Sequence, residues 1–285
     1  MDQHRQVQVL LASYNGERYI AEQIDSVLRQ HYRNFRLTVR DDGSIDDTLS
    51  IIRNYAERYP EKIRIMESNG EPGLGASMNF GKLLAGVEGD YFMLCDQDDV
   101  WFPDKIARSM EALARLEERE GNDIPLLVFS DLEVSDQDLK RLHPSFWKLR
   151  NLNPDMGHSY EELIANNVIT GCTILFNAAA RNCAIPIPRR RFLHDQWIGF
   201  HVAYYGKVMY LPEPTLLYRQ HGKNEMGARV LTANYFIRKI TFFPRLWSDW
   251  RWLRSQNTIP VNLRHIFWLK LKFNVRRLFA SLKRK

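Results

Sequence analysis

The sequence predicts an α/β fold: a mostly parallel sheet flanked by helices, followed by a basic helical extension. Three observations predict it. Short apolar runs rich in β-branched and aromatic residues alternate with helical patterns through the first half of the chain. Polar clusters follow several of those runs directly, where the strands of a parallel sheet would end. The charge is also split. Residues 229–285 hold 14 Lys and Arg against the single acid Asp249, a net +13, so within a total of +6 the preceding 228 residues carry −7.

Strands are expected near 7–12, 35–40, 63–66, 91–95 and 126–130, with helices near 16–31, 46–59, 74–87 and 103–119. The cluster "DDGSIDD" can open the second helix, and Pro103 suits the first turn of the fourth. This alternation implies right-handed βαβ units around a parallel sheet. Further on, "TGCTILFN" reads as a strand and "HDQWIGFHVAYYG" as a helix ending at Gly206. "KVMYLPEPTLLYRQHGKN" reads as an extended segment with a Pro-bounded turn. Beyond about residue 230, basic amphipathic helices are expected, broken near Pro244 and Pro260. The division that follows is a body over 1–228 and an extension over 229–285. Neither an internal repeat nor a low-complexity linker interrupts the chain.

At 285 residues, with 45% apolar and 26% charged residues, the chain has ordinary globular composition and length for a substantial core. Cys95, Cys172 and Cys183 lack metal-ligand spacing and read as reduced thiols of a reducing compartment. The opening "MDQHRQVQVLLASYN" has an apolar run too short for a secretory signal. No stretch approaches the roughly 20 apolar residues of a membrane span.

The chemistry lies in the polar clusters. The first strand ends in "ASYNGE", the second in "RDDGSIDDT" and the fourth in "LCDQDDVW". In a parallel sheet these share one rim, outside the carboxyl ends of the strands, where ligands bind. A lone acidic turn is usually just solvated, but three at successive strand ends suggest a divalent cation shared with a substrate phosphate. Mg²⁺ and Mn²⁺ prefer carboxylate oxygens and act this way. The D-x-D pair Asp96 and Asp98 would supply those oxygens, while Asp104 reads as a helix-start acid. Asp42 could accept a hydrogen bond from the N3–H of a pyrimidine. "NGEPGLGASMNFGKLL" lacks the Lys-Ser/Thr ending of a phosphate loop, and no G-x-G-x-x-G follows the first strand.

The motifs "ASYNGERYIAEQIDSVLRQ", "DDGSIDDT", "DQDDVW" and "HDQW", in that order over roughly residues 6–225, resemble family 2 glycosyltransferases of GT-A fold. "DQDDVW", "HDQW" and "YRQHGKN" look most like a bacterial branch that includes rhamnosyltransferases of surface-polysaccharide assembly. The resemblance implies an inverting, metal-dependent transferase. L-rhamnose from dTDP-L-rhamnose is the expected sugar, a UDP-hexose the alternative donor, and a lipid-linked surface glycan the expected acceptor. Ser13 and Asn15 would line the nucleotide crevice, and Asp42 would bind the pyrimidine with Asp41 beside it. Asp96 and Asp98 would reach ribose and metal, with His221 able to reach metal or phosphate. Asp195 of "HDQW" would be the base that activates the acceptor hydroxyl; its bland alternative is a helix cap. His194 could tune that base or be structural, and Trp197 could stack on an acceptor sugar or fill core.

The extension suits an anionic membrane surface, since cations and aromatics interleave there. Nucleic acid is the alternative partner and is not expected, given the acidic rim. Helices packed on the body, or a homo-oligomer contact, are the further readings. The expected location is the bacterial cytoplasm, peripheral on the inner face of the membrane.

Overall fold

The computed structural model describes residues 5–68, 70–71, 73–189, 191–222 and 243–282. The expected basic segment 229–242 and the terminal 283–285 lie outside the described residues, as do Lys223 and Asn224 of "YRQHGKN". The first half follows the expected alternation: β1 (Val7–Ser13), α1 (Ile20–Leu28), β2 (Phe35–Asp41), α2 (Thr48–Arg58), β3 (Ile63–Ile65), α3 (Ala76–Gly86), β4 (Tyr91–Asp96), β5 (Val100–Trp101) and α4 (Lys105–Glu120). The second half is more broken: β6 (Leu126–Ser135), β7 (Arg141–His143), α5 (Phe146–Arg150), α6 (Tyr160–Ala165), β8 (Leu175–Asn177), α7 (Ala178–Ala184), α8 (His194–Tyr205) and β9 (Lys207–Arg219). Two 3-10 turns, Pro154–His158 and Gly171–Thr173, interrupt it, and two tail helices, Phe243–Gln256 and Leu263–Leu282, follow.

The sheet runs β3-β2-β1-β4-β8-β6-β9-β5, with β7 on β6. β1 pairs in parallel with β2 and β4, and β2 with β3. The short β8 enters antiparallel between β4 and β6, and β9 returns parallel to β6. The sheet is therefore mixed, with a parallel half that carries the polar rim.

Side chains alternate across each strand, and the helices sort accordingly. Val7, Val9 and Leu11 of β1 face one layer, which holds Ile20 and Ile24 of α1, Ile52 of α2, and Ile106, Met110, Leu113 and Leu116 of α4. The α4 stripe recurs every three or four residues, the spacing that keeps one helix face on the core. Gly121 closes α4 at φ 87°, and its N–H reaches Glu117 O; a left-handed stop of this kind suits glycine. Leu10 of β1 and Phe92 and Leu94 of β4 face the other layer, with Phe80 of α3, Leu163 of α6, and Ile198 and Phe200 of α8.

The tail helices belong to this second layer. Trp250, Leu253, Ile259 and Ile266 are buried in the same apolar cluster, with Trp247 and Trp252 packed against it. The lone tail acid, Asp249, pairs with Arg191 at 3.1 Å, and Lys270 donates to the carbonyl of Ala165 at 2.7 Å. The packed-helix reading thus holds for the described part of the extension. Of its four tryptophans only Trp268 is exposed, at 63%. Pro244 does not break a helix; it lies in the first turn of one, where its missing N–H costs nothing. No described helix is long and apolar enough to cross a membrane.

Candidate active site

Register brings the three clusters together. Ser13 lies beside Asp41 across β1 and β2, and Ala12 beside Asp96 across β1 and β4. The loops beyond these strand ends are fastened to one another. Asn15 adopts φ 46°, a left-handed conformation that asparagine tolerates better than most residues. Its N–H donates to Ser44 Oγ at 2.8 Å, and its Oδ1 accepts from Ile45 N–H at 2.9 Å. Gln97, between the two acids of the D-x-D pair, clasps the backbone of Tyr14. Its Oε1 accepts from Tyr14 N–H at 2.8 Å and its Nε2 donates to Tyr14 O at 2.9 Å. A Cβ on Gly16 would come within 2.3 Å of Gln97 Oε1, so the glycine of "SYNGE" makes room for that clasp.

The neighbouring acids of β2 divide their work. Asp41 accepts from Ser13 Oγ at 3.0 Å, Ser44 Oγ at 2.6 Å, Gly43 N–H at 3.0 Å and Ser44 N–H at 2.7 Å. A carboxylate offers about four acceptor positions, so Asp41 is filled by its own turn. The nucleotide contact expected of it is corrected to a structural staple, and the Ser13 hydroxyl is committed to that staple as well. Asp42 accepts from Leu74 N–H at 3.0 Å and Gly75 N–H at 2.8 Å, with Arg40 at 3.5 Å. It therefore holds the loop before α3 against the rim and keeps acceptor positions in reserve. Gly73 and Gly75, at φ 72° and 80°, let that loop turn. Asn79, in the same segment, braces Arg40: its Oδ1 accepts from Arg40 at 2.8 Å and its Nδ2 donates to Arg40 O at 3.0 Å.

On the β4 side, His221 Nε2 lies 2.7 Å from Asp98 Oδ2, and the imidazole stacks on Tyr19 with ring centroids 4.9 Å apart. The pair is set by Arg219 at the end of β9. Its Nε donates to the Asp98 carbonyl at 2.8 Å and its Nη1 to Gln137 O at 2.7 Å, while Nη2 reaches Glu22 Oε2 at 2.5 Å. The guanidinium also lies over the Tyr19 ring, 4.6 Å from its centroid. Arg219, within "YRQHGKN", carries no role in the sequence reading. An arginine directly after the apolar run Leu216–Tyr218 was the available signal.

A hard divalent cation needs oxygen donors. Asp96, Asp99 and Cys172 place one ligand atom each within 4.8 Å of one another. Asp99 and Cys172 are buried, and loss of water with neighbouring acids pushes both well above their ordinary pKa values. A thiol kept protonated suits Mg²⁺ or Mn²⁺ poorly. Asp98 and His221, joined at 2.7 Å, offer oxygen and nitrogen donors of the kind such a cation takes, but they are not part of that cluster.

Asp195 connects to this group through one turn. Its Oδ2 accepts from Gly171 N–H at 3.3 Å, and the next residue of that turn is the Cys172 that neighbours Asp96. Leu193, not Asp195, occupies the cap position of α8. Asp195 accepts from the adjacent Gln196 N–H at 2.6 Å in the first turn, where the helix dipole favours its anion.

The two residues expected at the acceptor are both buried. Trp197 is buried, donates Nε1–H to Ala184 O at 2.7 Å, and packs among Phe192, Phe200 and Trp252. His194 is buried against Phe80, with its Nδ1 3.4 Å from Ser77 Oγ, and burial pushes its pKa down to about 3. Trp197 serves the core beneath the rim, while His194 lies beside the same Gly171 turn that Asp195 meets.

The model of glycosyl transferase family 2 matches residues 8–175. The chain belongs to glycosyltransferase family 2. The dTDP-rhamnosyl transferase RfbG of Shigella flexneri is 28% identical over 235 residues, covering 77% of this chain and 74% of that protein. An uncharacterized glycosyltransferase of Rickettsia typhi is 26% identical over 249 residues, 85% of this chain and 70% of its own. Among solved structures, S. aureus TarS in complex with UDP-GlcNAc aligns with a TM-score of 0.61 at 16% identity, covering 96% of this chain and 73% of that one. The mannosyltransferase PcManGT from Pyrobaculum calidifontis, in complex with GDP-Man and Mn²⁺, aligns at 0.57 with 17% identity, covering 99% and 77%. The fold of this family 2 glycosyltransferase is therefore GT-A, with its acid-rich rim at the strand ends that carry the motifs.

Proposed function

We propose that this glycosyltransferase moves L-rhamnose from dTDP-L-rhamnose to a lipid-linked surface glycan, with inversion, at an anionic membrane surface. The observation that carries the reading is the joining of Asp98 to His221 on a rim that the Gly171 turn links to Asp195. The likeness to RfbG supports the donor.

Asp98, His221 and Asp96 would hold Mg²⁺ or Mn²⁺, which when bound neutralises charge on the departing diphosphate. Asp42 keeps acceptor capacity for the N3–H of a pyrimidine, and Asn15 shapes the crevice wall. Asp195 takes the proton of the acceptor hydroxyl as its oxygen bonds to the anomeric carbon. Attack opposite the leaving group inverts that carbon and needs no second carboxylate nucleophile. The test is a panel of dTDP- and UDP-sugars with Mn²⁺ or Mg²⁺, measuring released nucleoside diphosphate. Turnover with dTDP-L-rhamnose supports the reading, and turnover confined to a UDP-hexose replaces the donor while keeping the chemistry.

A further inference from the structure

The second tail helix, Leu263–Leu282, presents three kinds of surface. Ile266 is buried against the body. Trp268, Leu271 and Val275 are exposed at 63%, 40% and 41%. Their spacing of three and four residues puts them on one stripe. Between these surfaces opens a cavity of about 250 Å³, walled by the 151–156 segment, the end of α6 and this helix. Lys272, Arg276 and Arg277 line it from the helix, opposite Asn151, Asn153 and Asn166. The helix turn places Lys272 and Arg276 between the cavity and the apolar stripe.

Asn166 makes the cavity more than a basic groove. It is 5% exposed, and neither its Nδ2 nor its Oδ1 has a hydrogen-bond partner among the described residues. A buried amide left in this state is destabilising, and a leucine there would avoid that cost. An amide donor beside three cations suits a phosphate oxygen.

We propose that this cavity receives the phosphate headgroup of an anionic phospholipid while Trp268, Leu271 and Val275 enter the interface beside it. The inference rests on the membrane reading above and gives it a location. Charge complementarity selects the lipid: the face carries Arg264, Lys272 and Arg276, and the acids against it are Glu162 in the cavity wall and Glu161, which His265 meets at 3.5 Å. Phosphate in the cavity and apolar side chains alongside match the two layers of a bilayer surface.

The test is flotation of the full chain with vesicles of phosphatidylcholine alone or mixed with phosphatidylglycerol. The wild type should prefer the phosphatidylglycerol vesicles, and the preference should fall with salt. Lys272→Gln with Arg276→Gln should weaken that binding about thirtyfold, two cations' worth near an anionic surface. Asn166→Leu leaves the charge count unchanged. It should weaken binding to phosphatidylglycerol severalfold while keeping or raising the melting temperature. Asn151→Gly, which retains the left-handed backbone at φ 49°, gives a second cavity variant should Asn166→Leu fail to fold.

Equal, weak binding of wild type to both vesicle types sinks the membrane reading and this inference together. A wild-type preference that survives the double substitution, or is untouched by Asn166→Leu and Asn151→Gly, sinks the cavity alone. Stabilisation by inorganic phosphate without vesicle binding, or loss of oligonucleotide binding with vesicle binding intact, also overturns it.

Discussion

Replacing Arg219 tests how the Asp98–His221 side of the rim is held. The side chain is buried and makes hydrogen bonds to Glu22, to the carbonyl of Asp98 and to the carbonyl of Gln137. Arg219→Ala leaves two carbonyls without this donor and one carboxylate without its cation. A buried ion pair broken on one side costs about 3–5 kcal/mol. Glu22, however, is 46% exposed on its side chain, and water will solvate it once the cation is gone. The charge part is therefore small. Gln137 is exposed as well, so the Asp98 carbonyl, at about 1–3 kcal/mol when unsatisfied, dominates. The expected loss is about 2 kcal/mol, read as a shifted midpoint in urea unfolding. Arg219→Lys should recover part of it, because an ammonium keeps the charge without the planar fork. The functional consequence is separable. In Arg219→Lys, calorimetry should show weaker Mn²⁺-dependent nucleotide binding, because the Asp98 carbonyl loses its anchor, while metal-independent nucleotide binding changes little. If Arg219→Lys loses stability and keeps wild-type metal-dependent binding, Arg219 only supports the fold and the positioning account fails.

Other outcomes follow from the same contacts. Asp195→Asn should retain donor binding and lose transfer by about 10² to 10⁴; a folded and fully active variant would return Asp195 to a purely local helix role. Trp197→Ala should cost about 3–5 kcal/mol in unfolding with an unchanged acceptor KM in the folded fraction, and a selective rise in KM would restore the stacking role. His194 and His201 are held neutral by burial, down to about 3 and about 4. The unfolded chain binds protons at these sites below about pH 6.5, so stability should fall as pH drops from there toward 4. Each contributes up to about 1.4 kcal/mol per pH unit, and His201→Leu should flatten the slope measured by urea unfolding. Truncation before Phe243 should destabilise the whole protein rather than only release it from membranes, since Trp250, Leu253 and Ile266 would leave the shared core. A truncated chain with wild-type melting would show the tail to be dispensable to folding.

The parallel half was legible because buried strands read as continuous apolar runs, and each was followed at once by its polar cluster. From that pattern came the shared rim, and the registers of Ser13 with Asp41 and Ala12 with Asp96 bear it out. The antiparallel insertion of β8 was not legible. Three residues carry no periodicity, and their pairing with β4 and β6 is decided by packing far along the chain. Asp41 and Asp42 look alike in sequence; only the turn geometry shows that one is saturated by its own loop. Trp197 stands two residues past the candidate acid Asp195, yet a helix turns successive side chains by about 100°, so it points into the core instead. The basic tail was read by composition, which cannot tell an exposed tryptophan from a buried one. Trp268 and Trp250 differ only in which face of a helix they occupy.

The most direct measurement is nucleoside diphosphate release from dTDP-L-rhamnose by wild type and Asp98→Ala, with Mn²⁺ and after exhaustive chelation. The account predicts turnover by the wild type that chelation abolishes and added Mn²⁺ restores, with most of it missing in Asp98→Ala under every condition. Wild-type turnover indifferent to chelation, or an Asp98→Ala variant as active as wild type, would contradict a metal-assisted transfer at this rim.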